Sequence, residues 1–142
     1  MTCDPRRTGP RLVAAGLLAV LAQPGFAASD QYVCTIAEAR TLEADGRLSG
    51  MTEPAIVGRR FVVNRGSGVL VGPDGAFWAR SDSKFAVMVR GDAQDAFVSM
   101  AVTMRGTQVA SAVHVTVHEP QTGPLKPFVV ISGHQVASGL CE

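Results

Sequence analysis

Ser111-Ala112-Val113-His114-Val115-Thr116-Val117-His118 alternates apolar and polar residues with a period of two. Successive side chains of a β-strand point to opposite faces, so Val113, Val115 and Val117 share one face. His114, Thr116 and His118 share the other. A strand of this kind needs a core on its valine side, and the neighbouring sequence offers further strands to build one. Phe97 to Met104 alternates in the same way, with Val98, Met100, Val102 and Met104 expected to face the core. Phe128-Val129-Val130-Ile131 is a compact apolar run that reads as a buried strand.

Turn signals separate these runs from others. Tyr32 to Ala39 reads as a strand, because aromatic and β-branched residues crowd its start. Thr35 followed by Glu38, with Ala37, Ala39, Leu42 and Ala44, also fits a short capped helix. Asp45-Gly46 is a turn, and Leu48 to Pro54 reads as an irregular connection. Ile56–Val63 and Val69–Gly72 flank Asn64-Arg65-Gly66-Ser67-Gly68, the pattern of a β-hairpin. No Gly-Lys-Ser/Thr follows those glycines, so a phosphate-binding P-loop is a poor reading. Pro73-Asp74-Gly75 turns the chain again before Trp78, and Ser81-Asp82-Ser83 is a polar loop. Phe85 to Val89 is a strand ending in Arg90-Gly91-Asp92, which is an adhesion tripeptide but equally a turn. Pro120 to Pro127 is a proline-rich loop that cannot pair continuously in a sheet. Ser132-Gly133 turns the chain into a last short strand, Gln135 to Ser138. No segment offers the crossover helices that parallel strands require. The expectation is an all-β fold: a small antiparallel β-sandwich or partly open β-barrel of about eight short strands.

Residues 1–28 read as a secretory signal peptide. Arg6, Arg7 and Arg11 precede the apolar run Leu12 to Leu21, then Gln23-Pro24-Gly25 and the small residues Ala27-Ala28. The run is too short to span a bilayer, which takes about 20 residues. The expected division is therefore a leader, 1–28, and one exported β domain, 29–142, without a transmembrane segment. The localisation that follows is periplasmic or secreted. The leader holds three of the thirteen Lys and Arg but one of the twelve Asp and Glu, so residues 29–142 carry a formal charge of −1. No basic run is left to track a phosphate backbone, which argues against nucleic acid as a partner. Cys3 belongs to the leader, and Cys34 and Cys141 remain near the two ends of the domain. In an oxidising compartment such a pair is expected to form a disulfide.

Motifs for chemistry are scarce. His114 and His118 share a strand face but lie about 13 Å apart along it, too far to ligate one ion together. Glu119 and His134 are the nearest further ligands by sequence, and the expectation is no metal and no cofactor. Ser111, Ser132 and Ser138 lack the G-x-S-x-G context of a hydrolase nucleophile. No acid pair among Glu38, Glu43, Asp82 and Glu119 is singled out by spacing, so catalysis is disfavoured and a weakly specified hydrolase is the least supported reading. Leader, single disulfide and β domain form a format similar to that of small bacterial envelope proteins, including protein inhibitors of lysozyme. That is a likeness of format only, and function does not follow from it. Export and a disulfide between the chain ends instead suit a display scaffold, and the expected partner is an envelope or extracellular protein. Binding is expected through loops and a sheet edge, at Arg59, Arg60, His114, His118, Glu119, Lys126 and His134, with Arg59-Arg60 and the loop from Glu119 to Pro127 as the most distinctive surfaces. A small-ligand carrier with a barrel cavity is the alternative.

Overall fold

The computed structural model describes residues 30–50, 56–72 and 79–142. Residues 1–28, expected above to be a leader, and Pro73-Asp74-Gly75 and Trp78 lie outside the described residues. The described residues form nine strands: β1 (Gln31–Leu42), β2 (Leu48–Gly50), β3 (Arg60–Asn64), β4 (Leu70–Val71), β5 (Lys84–Arg90), β6 (Phe97–Arg105), β7 (Gln108–Val117), β8 (Lys126–Ser132) and β9 (Gln135–Cys141). They make one antiparallel sheet in the order β4-β3-β1-β9-β8-β7-β6-β5, with β2 paired to the far half of β1. The sheet curls into a half-barrel, consistent with the all-β sandwich or partly open barrel expected. Its curl brings the β3–β4 turn against β5 and β6. A side chain at Gly68 would meet the Ala86 backbone at 3.2 Å and the Ser99 Cβ at 3.1 Å. Small residues at 68 and 99 permit that approach.

The concave side is the core. Val113, Val115 and Val117 are buried, as their alternation predicts. Around them stand Tyr32, Cys34 and Ile36 of β1, Phe61 and Val63 of β3, Phe97 and Ala101 of β6, and Phe128 and Val130 of β8. Rings meet across the curl, Tyr32 with Phe97 at 5.2 Å and Phe61 edge-on to Phe128 at 5.1 Å. Offset and edge-on contacts of this kind are favoured by the ring quadrupole.

The face expected of β6 is reversed. Phe97, Ser99, Ala101 and Thr103 point inward, while Val98, Met100 and Val102 are half-buried and Met104 is exposed. Register decides this. Phe97, Ser99 and Ala101 lie directly opposite Val117, Val115 and Val113, and directly opposed residues share a face. The convex face is consequently more apolar than β7 alone suggests. His114 sits between Met100 and Ile131, and Thr116 between Val98 and Val129.

β1 is a strand throughout, and its helix-like spacing has a local cause. Pairing with β9 shifts between Ile36 and Glu38, leaving Ala37 as the extra residue of a bulge. Ile36 and Ala39 therefore both face the core at a spacing of three, which imitates a helical period. Gly139 lies opposite this bulge. A Cβ there would meet the Thr35 carbonyl oxygen at 2.0 Å and Phe128 Cε1 at 2.9 Å.

Three further expectations are corrected. Leu48–Gly50 pairs with β1 rather than being irregular. The run Ile56–Val63 becomes a strand only from Arg60, because Gly58 takes a positive φ of 83° in the preceding turn. Pro127 lies within β8, where its missing N–H is harmless and its carbonyl accepts from His118 N at 2.8 Å. Cys34 and Cys141 are bonded, S–S 2.02 Å, as directly opposed residues of β1 and β9.

Candidate functional site

The curl of the sheet gathers the start of β1, the β3–β4 turn and the β7–β8 loop at one end of the half-barrel. Tyr32, Arg65 and Glu119 meet there. The Tyr32 hydroxyl donates to Glu119 Oε1. Arg65 Nη2 donates to the same oxygen at 2.7 Å, and its guanidinium carbon stands 5.0 Å from the Tyr32 ring centroid. The Glu119 and Arg65 side chains are only 13% and 24% exposed, so solvent screens this pair less than the other ion pairs of the surface.

Each partner is placed by local structure. Tyr32 alternates inward with Cys34 and Ile36. Arg65 lies in a turn that Asn64 organises, its Oδ1 accepting from Gly66 N at 3.1 Å and Ser67 N at 2.8 Å. Glu119 follows the last residues of β7, where His118 N still bonds to Pro127 O. Burial raises the pKa of the Tyr32 phenol. The hydrogen bond to Glu119 and the charge of that carboxylate raise it further, while Arg65 opposes them. Tyr32 is thus held as a neutral donor.

Lys126 completes the arrangement. Its Nζ donates to the Glu119 carbonyl at 2.9 Å and to the Gln121 carbonyl. The β7–β8 loop is therefore tied at its base by a side chain on each limb. Residues 120–125 are exposed, and Leu125 is 48% exposed.

The other expected binding residues are dispersed. Arg60 is exposed at the start of β3, the opposite end of that strand from Arg65, and pairs with Glu142 Oε1 at 2.5 Å. Arg59 is exposed in the turn before β3, where its carbonyl accepts from Ile36 N at 3.0 Å. His118 is exposed beside the loop, and His114 is half-buried on the convex face. His134 is exposed in the β8–β9 turn, beyond the end of the sheet where Val113 pairs with Ser132, and so far from His118. Among the described residues no group of three His, Cys, Asp or Glu is placed to hold a metal ion. Arg65 and Tyr32 are the two members that the sequence did not single out. Arg65 lies in a glycine-rich turn and looks like turn filler, and the Tyr32–Glu119 contact spans 87 positions of sequence.

Arg90-Gly91-Asp92 is a turn. Gly91 has a φ of 70°, and Asp92 Oδ1 accepts from Gln94 N at 2.7 Å and Asp95 N at 2.9 Å. Those two hydrogen bonds hold the Asp92 carboxyl below its ordinary pKa.

No helix among the described residues is long and apolar enough to cross a membrane. No family model, curated protein or solved structure matches the chain.

Proposed function

We propose that this chain is a non-enzymatic exported domain that binds another envelope or extracellular protein by presenting the 119–125 loop, in the manner of an inhibitor. One observation carries the reading: the loop is fixed at its base while its crest is exposed. Glu119 is held by Tyr32 and Arg65, and Lys126 holds two loop carbonyls. Pro120 and Pro124 remove further backbone freedom within it. A segment ordered before binding loses less entropy on association, which is how rigid inhibitor loops gain affinity. Leu125 supplies an exposed apolar anchor, and exposed His118, where the loop leaves β7, supplies a polar contact.

Two neighbouring readings are weaker. The β5 edge is poorly suited to strand addition, since Lys84 and Arg90 bound it and a bulge between Val87 and Val89 interrupts it. Small-ligand carriage needs an empty interior, whereas Phe97, Val115, Val117, Phe128 and the disulfide fill the concave side.

The test is site-specific photo-cross-linking in an extract of the host envelope. A cross-linker at position 125 is expected to give one saturable protein adduct. The same group at Val109, exposed at the opposite end of the half-barrel, is expected to give none. Equal, diffuse labelling from both positions would defeat the reading.

A further inference from the structure

The geometry points to a carboxylate-binding site in the depression between the β3–β4 turn and the β5–β6 turn. This open hollow of about 270 Å³ is lined by Asp30, Arg65, Gly66, Arg90 and Gly91. Its two cations differ in a useful way. Arg65 is oriented in advance by Glu119 and by the Tyr32 ring. Glu119 Oε1 engages Nη2, and a guanidinium has five N–H donors, so donors remain for a ligand. Arg90 is exposed at the end of β5 and has no ion-pair partner among the described residues. Its nearest acid along the chain, Asp92, already accepts two backbone hydrogen bonds through Oδ1.

The walls between the arginines are glycine backbone. Gly91 is required by the fold, because its φ is 70° and a Cβ would stand 2.7 Å from Phe97. Neither Gly66 nor Gly91 puts a side chain into the hollow that the two arginines line. Glu119 already neutralises Arg65 and Asp30 lines the same hollow, so Arg90 and the spare Arg65 donors can compensate no more than about one further negative charge, which favours a monoanion over a phosphate dianion. A planar carboxylate also suits the fork of a guanidinium. The carboxylate can belong to a small free acid or to a peptide terminus. The site does not depend on loop binding, so variants at Leu125 are expected to leave it unchanged.

The test is an NMR titration of the purified protein, following the Arg65 and Arg90 Nε–H signals and the Gly66 and Gly91 amides. The probes are sodium acetate, N-acetyl-trialanine, its C-terminal amide and inorganic phosphate, all at matched ionic strength. Saturable, concerted shifts with the peptide acid and none with its amide are expected. Acetate matching the peptide identifies a small-acid site, and the peptide alone binding identifies a terminus-binding site; both support the inference. Arg90→Ala is expected to weaken binding at least about tenfold with unchanged melting, and Arg90→Lys to restore part of it. Equal shifts with the amide, tighter binding of phosphate, or full affinity in Arg90→Ala would overturn it.

Discussion

Replacing both bonded cysteines tests the organisation of the fold most severely. Cys34 and Cys141 are fully buried and join the first and last strands across a sequence separation of 107. In the chain-entropy description, a loop of that length withholds about 4.8 kcal/mol of conformational freedom from the unfolded state. The native pairing does not depend on the bond alone. Val33 and Glu142 exchange two backbone hydrogen bonds of 3.0 Å beside it, and β9 is also held by β8. Cys34→Ala/Cys141→Ala is therefore expected to fold, with its melting temperature lowered by on the order of 15–20 °C. Thermal unfolding followed by circular dichroism, with and without reductant, measures this. Reduction should move the wild type toward the double variant and leave the variant unmoved. A double variant melting within a few degrees of the oxidised wild type would refute the reasoning. The ends of the chain would then contribute little to the stability of the sheet.

Two further outcomes follow from single residues. Tyr32 is the only tyrosine, so absorbance at the phenolate band reports on it alone. Its folded pKa lies above the ordinary 10.0, so its contribution to stability should be constant below pH 10 and fall as pH rises beyond it, where only the unfolded phenol ionises. An alkaline titration should show no phenolate in the folded protein before unfolding begins, and ionisation near pH 10 without unfolding would contradict the buried Tyr32–Glu119 contact. Gly139→Ala should destabilise by about 3 kcal/mol or more, because the added methyl collides with backbone at the β1 bulge. Urea denaturation of that variant beside Gly133→Ala, where a Cβ meets nothing within 4 Å but φ is positive, separates collision from backbone strain.

Much of this fold was legible in the sequence because β-alternation is a local signal. Val113, Val115 and Val117 announce their face without help from any other strand. Phe97 to Met104 alternates just as cleanly, yet the larger apolar set points outward. Which of two plausible faces is buried depends on register with β7, and register is a property of the pair. The spacing of Ile36 and Ala39 misleads for a different reason, since the bulge at Ala37 is invisible until β9 is in place. The site divides similarly. Glu119 and Lys126 stand out because a proline-rich loop draws attention to its ends. Tyr32 and Arg65 reach that loop only through the curl of the whole sheet, which no local pattern encodes.

The central claim is that a loop made rigid by the Tyr32–Arg65–Glu119 cluster is the protein-binding element. The direct measurement is the dissociation constant of the cross-linked partner for the wild type, Leu125→Asp and Glu119→Gln, with thermal melting of each. Leu125→Asp should weaken binding at least about tenfold while melting like the wild type, since the exposed side chain contributes to the interface and not to the core. Glu119→Gln should weaken binding and lower stability by about 1–3 kcal/mol, because it leaves Arg65 half-buried without its counter-charge. Unchanged affinity in both variants would contradict the account and remove the loop from the binding surface.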